Sequence, residues 1–258
     1  ISIIPEYKIM KKIFLLIITI IFLPNINAVH NEDHKFLSVE YHFCSFNEGM
    51  GMTDLMNVVK KFNKFLDQNS DEQSYQAALL VAKYDMDNDY DYIWYGGWPS
   101  RKLKAQSLDN WNENGQDIAA EFSAVSKCDS VAGYQYVARD GGITASNTPT
   151  PVYYRWCNMK EGVSRSDVRE TVDEWTATVT KAGYKGTSRI FYPTIGSRES
   201  FEADTIFVDI PGSHMNDYDN WELRRDNPEW WENTGPKFSE QLQCGESVVQ
   251  YDAISLTD

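Results

Sequence analysis

Two positions at the ends of strand-like runs carry side chains suited to chemistry. His42 and Arg155 each stand two residues before a cysteine, Cys44 and Cys157. On a strand, that spacing turns the polar side chain to the same face as its cysteine. If that face lines a cavity, His42 would act as an acid, a base or a haem ligand, and Arg155 as an anion clamp. The plainer alternative is a hydrogen-bonded surface histidine. Beyond each cysteine come Glu48-Gly49 and Glu161-Gly162, in a loop at a strand's carboxyl end, where functional groups are common. Glu48 and Glu161 are therefore candidate acids. Alternatively, the glycine supplies a turn and the glutamate is solvated or bonds the next helix's amino terminus.

Aromatic residues form the second group. Trp94, Trp98, Trp230 and Trp231 are candidate ligand-binding residues. Trp98 and the Trp230-Trp231 pair flank Gly, Pro and polar residues, and exposed rings in such settings stack on sugars or other planar ligands. Trp111 and Trp221 are expected to anchor helices in the core. Histidine is scarce: His30 and His34 precede the first strand, and His214 is expected in a loop with Gly212 and Ser213. No multi-histidine metal centre and no cofactor is expected. Asp85–Asp91 alternates acids like a calcium loop, but Tyr90 replaces its glycine and Gly96 its closing glutamate. A hairpin turn with solvated aspartates fits better. No Gly-x-Ser-x-Gly, phosphate loop or dinucleotide fingerprint occurs.

These residues sit in a chain that repeats itself. Cys44-Ser-Phe-Asn-Glu48-Gly49 recurs as Cys157-Asn-Met-Lys-Glu161-Gly162, an offset of 113. Val59 matches Val172, Phe62 matches Trp175, and Asp91-Tyr-Ile-Trp94 matches Asp204-Thr-Ile-Phe207 at that same offset. Further on the offset drifts, as loop-length differences require, and Cys128 pairs with Cys244. Leu55, Val59, Phe62 and Leu66, like Val168, Val172, Trp175 and Val179, follow helical spacing, with Thr53 or Ser166 as cap and an acid in the first turn. Strands are expected at 37–44, 75–84, 91–97 and 131–137, then at 152–157, 187–195, 203–210 and 247–254. A second helix covers 111–127, and the broken segment 218–243 replaces it later. The fold class is thus α+β, two tandem βαββαβ ferredoxin-like repeats. The first spans 37–140 and the second 152–258, joined by the turn-rich linker 141–151.

Four cysteines allow three pairings. In a ferredoxin-like sheet the first and last strands are antiparallel neighbours, so the end of one lies beside the start of the other. Repeat and topology together choose Cys44–Cys128 and Cys157–Cys244. Two such units in one chain resemble the dimeric α/β-barrel superfamily, whose tandem members bring two sheets together into a pseudo-two-fold barrel. The resemblance lies in topology and repeat order over 37–254. It implies a ligand cavity between sheet and helices but no particular chemistry, since members include small monooxygenases, lyases and decolorising peroxidases. Three function classes follow: a cavity-bearing protein or enzyme with one asymmetric pocket for an apolar or aromatic molecule, a non-catalytic carbohydrate- or ligand-binding module using exposed tryptophans, and an envelope protein whose repeats serve assembly. A homodimer is compatible with each.

Composition narrows the setting. The net charge of −14 argues against nucleic acid, whose phosphates demand a basic face, and against anionic lipid surfaces. From Met10, Lys11-Lys12 precede the apolar run Ile13–Leu23, then Pro24 and a short polar stretch to Ala28. Residues 1–28 therefore read as upstream residues plus a secretory signal, and the protein as exported, periplasmic or extracellular. A retained anchor is the alternative, although the run is short for a bilayer. The intact mass of the secreted protein should begin at Val29; a species retaining Ile13–Leu23 would mean an anchor instead.

Overall fold

The computed structural model describes residues 35–68, 75–84, 89–142, 148–196 and 203–257. The signal segment, His30, His34 and Asp85 to Asn88 lie outside these residues. Strand β1 (Phe36–Phe46) pairs with β3 (Tyr92–Trp98) on one side and β4 (Ser126–Arg139) on the other, and β3 pairs with β2 (Gln76–Ala82). In the second half β5 (Thr150–Met159) takes the place of β1. It pairs with β7 (Thr205–Ile210) and with β9 (Val249–Ser255), while β7 pairs with β6 (Thr187–Ile195). A short β8 (Leu242–Cys244) adds to β5. The ladders β2–β9 and β4–β6 join the halves, so eight antiparallel strands close into a barrel.

Alternation along the strands sorts the core into layers. Val39, Tyr41 and Phe43 of β1 cluster with Leu80, Ile93, Val131, Tyr154, Phe191, Ile206 and Tyr251, an all-strand core inside the barrel. Cys44 turns the other way, into a second core beneath the helices of the first half, and Cys157 into a third beneath those of the second. Helix α1 (Met52–Gln68) buries Leu55, Val58, Val59, Phe62 and Phe65, a single face at three- and four-residue spacing.

The helix starts differ from expectation. Thr53 lies inside α1, and the Gly51 N–H donates to the Asp54 carboxylate at 3.0 Å. In α4 (Arg165–Lys181) the cap is Ser164 rather than Ser166, with a full capping box to Asp167. The segment expected as one helix over 111–127 is two, α2 (Arg101–Asn114) and α3 (Gln116–Val125), divided at Gly115. There a side chain would run into the ring of Trp111. The broken segment expected over 218–243 is two helices, α5 (His214–Asp226), which starts four residues earlier, and α6 (Glu229–Gln241), interrupted at Asn227-Pro228. His214 is the first residue of α5, not part of a loop. No described helix is long and apolar enough to cross a membrane.

Both disulfides link directly opposed residues of antiparallel neighbours: Cys44 with Cys128, and Cys157 with Cys244. They close segments of 84 and 87 residues. Loops of that length, held closed in the unfolded chain, stabilise by about 4–5 kcal/mol in the chain-entropy model. Replacing Cys44 and Cys128 together by alanine should therefore cost most of that amount in urea unfolding. An unchanged midpoint would show that the bond contributes nothing beyond native packing.

Candidate functional site

Each half carries a cavity between barrel and helices. The first, about 440 Å³, lies under α1, α2 and α3, within the size range of small-ligand sites. Phe62, Phe65, Trp94, Trp98, Trp111 and Phe122 form much of its wall, and the Cys44–Cys128 bridge is at its floor. Trp94 Nε1 donates to Tyr75 Oη at 2.8 Å and Trp98 Nε1 to Ser107 Oγ at 2.9 Å. Their N–H groups are thus already satisfied, leaving the rings as apolar walls.

One edge of this cavity is polar. The outward-facing positions of β1 bring Glu40 and His42 into the lining. His42 Nε2 lies 3.2 Å from Glu40 Oε1, and His42 Nδ1 lies 2.6 Å from Ser130 Oγ across the β1–β4 ladder. Lys104 of α2 holds the other Glu40 oxygen at 3.1 Å and stacks over the Trp98 ring. Burial pushes the Glu40 carboxyl up, but the hydrogen bond and charge of His42 and the charge of Lys104 outweigh it and hold it below the ordinary range.

The second cavity is larger, about 1110 Å³, between the barrel and α4, α5 and α6. Arg155, Arg189 and Arg224 line it together with Trp230 and Trp231. Arg155 Nε is buried without a hydrogen-bond partner among the described residues. Asp209 accepts from Ser188 Oγ at 2.9 Å and Tyr184 Oη at 3.1 Å. Its pKa is raised by burial, against the pull of Ser188, Arg224 and Arg139.

The candidate residues thus divide between two places. His42, Trp94 and Trp98 meet at the first cavity; Arg155, Trp230 and Trp231 meet at the second. Glu48 and Glu161 are exposed on turns built on the positive-φ residues Gly49 and Gly162, and line neither cavity. Trp98 is 4% exposed and forms a wall rather than a surface platform. Trp221, expected in the core, is 55% exposed at the second cavity, with Arg225 over its ring. A helix with a single buried residue, Asn220, has no apolar face to bury it. Both ring nitrogens of His42 have partners, Glu40 at Nε2 and Ser130 at Nδ1. Among the described residues no cluster of three or more His, Cys, Asp or Glu side chains could hold a metal ion. Glu40, Lys104 and Ser130 escaped the sequence reading. Period-two alternation from His42 reaches Glu40, but Ser130 needs the β1–β4 register.

No protein-family model matches the chain, and no curated protein does. Among solved structures it is similar to a double mutant of the chlorite dismutase of Candidatus Nitrospira defluvii, at 10% identity over 85% of this chain and 92% of that one, with a TM-score of 0.50. It is also similar to a protein assigned as a monooxygenase from Fusobacterium nucleatum subsp. nucleatum, at 11% identity over 85% and 92%, with a TM-score of 0.53. The fold is that of the chlorite dismutase-like, dimeric α/β-barrel proteins. At these identities the likeness concerns the fold alone.

The lowered Glu40 pKa has a consequence for stability. The ionised carboxylate is favoured in the folded state, so its contribution is complete above its ordinary value of 4.5 and is lost as pH falls through the lower folded value. In unfolding curves between about pH 7 and pH 3, the wild type should lose stability more steeply than Glu40→Gln below that point. Parallel curves would remove Glu40 as the source.

Proposed function

We propose that this is an exported small-molecule-binding protein whose working site is the first cavity, filled by a neutral aromatic or cyclic ligand. The observation that carries this reading is the cavity itself, with aromatic walls and one polar edge formed by Glu40 and His42. Such a site selects for apolar area and orients the ligand by a single polar group. In that arrangement His42 is the acid–base group and Glu40 its fixed partner. The two disulfides support an oxidising compartment. We also infer that the two halves are copies of one βαββαβ unit, supported by the sequence offset and by their equal strand orders.

A second reading rests on the other cavity. Trp221 and Trp231 are 55% and 53% exposed at its lining, an arrangement able to stack on a sugar or a planar ligand, with Arg155 available to an anionic group. On that reading the protein is a binding module without catalysis.

Calorimetric titration with 2-naphthol, a neutral aromatic probe, separates the two. We expect one site, weakened about tenfold or more, that is by about 1.4 kcal/mol, when Ser123→Trp fills the first cavity's exposed edge. Arg155→Gln should leave it unchanged. Two equal sites, or binding indifferent to Ser123→Trp, would overturn the assignment.

A further inference from the structure

The polar edge of the first cavity contains more than a base. Glu40 and His42 are two residues apart on β1, hence on one face, and Ser130 is the residue directly opposite His42 on β4. The hydrogen-bond inventory leaves one consistent arrangement for neutral His42. An ionised Glu40 only accepts, so Nε2 carries the proton and donates to it at 3.2 Å. Nδ1 then has a lone pair and accepts from Ser130 Oγ at 2.6 Å. A hydroxyl on a base, and the base oriented by a carboxylate, is the ground state of an activated nucleophile. Lys104, 12% exposed, pins the far oxygen of Glu40, so the carboxylate cannot swing away from the imidazole. Ser130 is exposed, and Cys128, two residues before it on the same face of β4, lines the cavity.

We propose that Ser130 is a nucleophile for acyl transfer, with His42 as its base and Glu40 as a positioning residue. Its substrates would be small esters whose apolar part enters the first cavity. The proposal rests on the reading of that cavity as the ligand site. Ser130 Oγ forms a bond to the ester carbonyl carbon as its proton passes to His42 Nδ1. The carbon–oxygen bond to the alcohol or phenol then breaks, and the departing oxygen takes the proton from Nδ1. Water follows the same course, losing its proton to Nδ1 and attacking the acyl-serine. Ser130 leaves with that proton, and the carboxylic acid is released.

The acyl-serine is the informative species, because its formation does not depend on turnover. The whole exported chain is mixed with p-nitrophenyl acetate while nitrophenolate release is followed, and the product is then mapped by peptide mass. We expect a burst of one equivalent per chain, with one acetyl group on Ser130. Ser130→Ala should remove the burst, and His42→Gln should slow it about 100-fold or more. Glu40→Gln should slow it less, and Glu40→Asp, which keeps the carboxylate, should recover part of that loss. Thermal unfolding of each variant, and its 2-naphthol titration, report folding and the cavity separately. An intact 2-naphthol site without acetylation of Ser130 would overturn the nucleophile and leave the cavity. Acetylation without any 2-naphthol site would do the reverse. Acetyl groups found on lysines, with a burst unchanged in Ser130→Ala, would also sink the proposal.

Discussion

At the centre of the barrel Tyr154 donates to Tyr41 at 3.3 Å, and Tyr41 in turn accepts from Gln135 Nε2 at 2.6 Å. Tyr95 and Arg189 complete the chain on Gln135 Oε1. Each of these groups would be costly to bury alone, and together they bond one another across strands from both halves, with Arg189 Nε left without a partner among the described residues. Closure of the barrel brings this network together, because β1, β3 and β4 supply one part and β5 and β6 the other. Closure fixes which face of every strand looks outward. That outward face is where both cavities lie.

Tyr41 and Tyr154 are separated by 113 residues, the offset that relates Cys44 to Cys157. On the duplication reading, the central contact is therefore one residue meeting its own copy across the pseudo-two-fold. Most inner positions around it are apolar or aromatic in both halves, with Gln135 and Arg189 as the polar exceptions. The outer ones differ, with His42 against Arg155 and Trp98 against Pro211. Inner residues must fill a shared, closed volume, so a change in one half is felt by the other. An outer residue meets only its own helical layer and is free to change alone.

That distinction also explains which features are legible in the sequence. Both disulfides, β6 at Thr187–Ile195 and the buried face of α1 follow from local periodicity or from the sequence offset of 113. The division at Gly115 depends on the neighbouring Trp111 ring, a contact within the folded helix pair. Trp221 and Trp111 matched in sequence yet differ in burial. The reason is that α2 and α3 close on α1 through Phe62 and Phe65, while α5 offers no comparable apolar face. Sequence matching detects the scaffold position, but burial is decided by the partner helix.

The polar edge of the first cavity shows the same limit at atomic scale. His42 was visible as a polar residue at an apolar strand's end. Its hydrogen bonds, however, depend on Ser130, 88 residues away, and on Glu40, which Lys104 holds from a helix that joins no ladder. A shift of one residue in the β1–β4 register would reverse the face of every β4 side chain and replace Ser130 beside His42 by Asp129 or Val131. The Cys44–Cys128 bridge lies in that same ladder, two residues along from the His42–Ser130 pair. The covalent bond that closes the first half therefore also fixes the register on which the Ser130–His42 contact depends. The stability of this half and the geometry of its polar edge thus share one constraint.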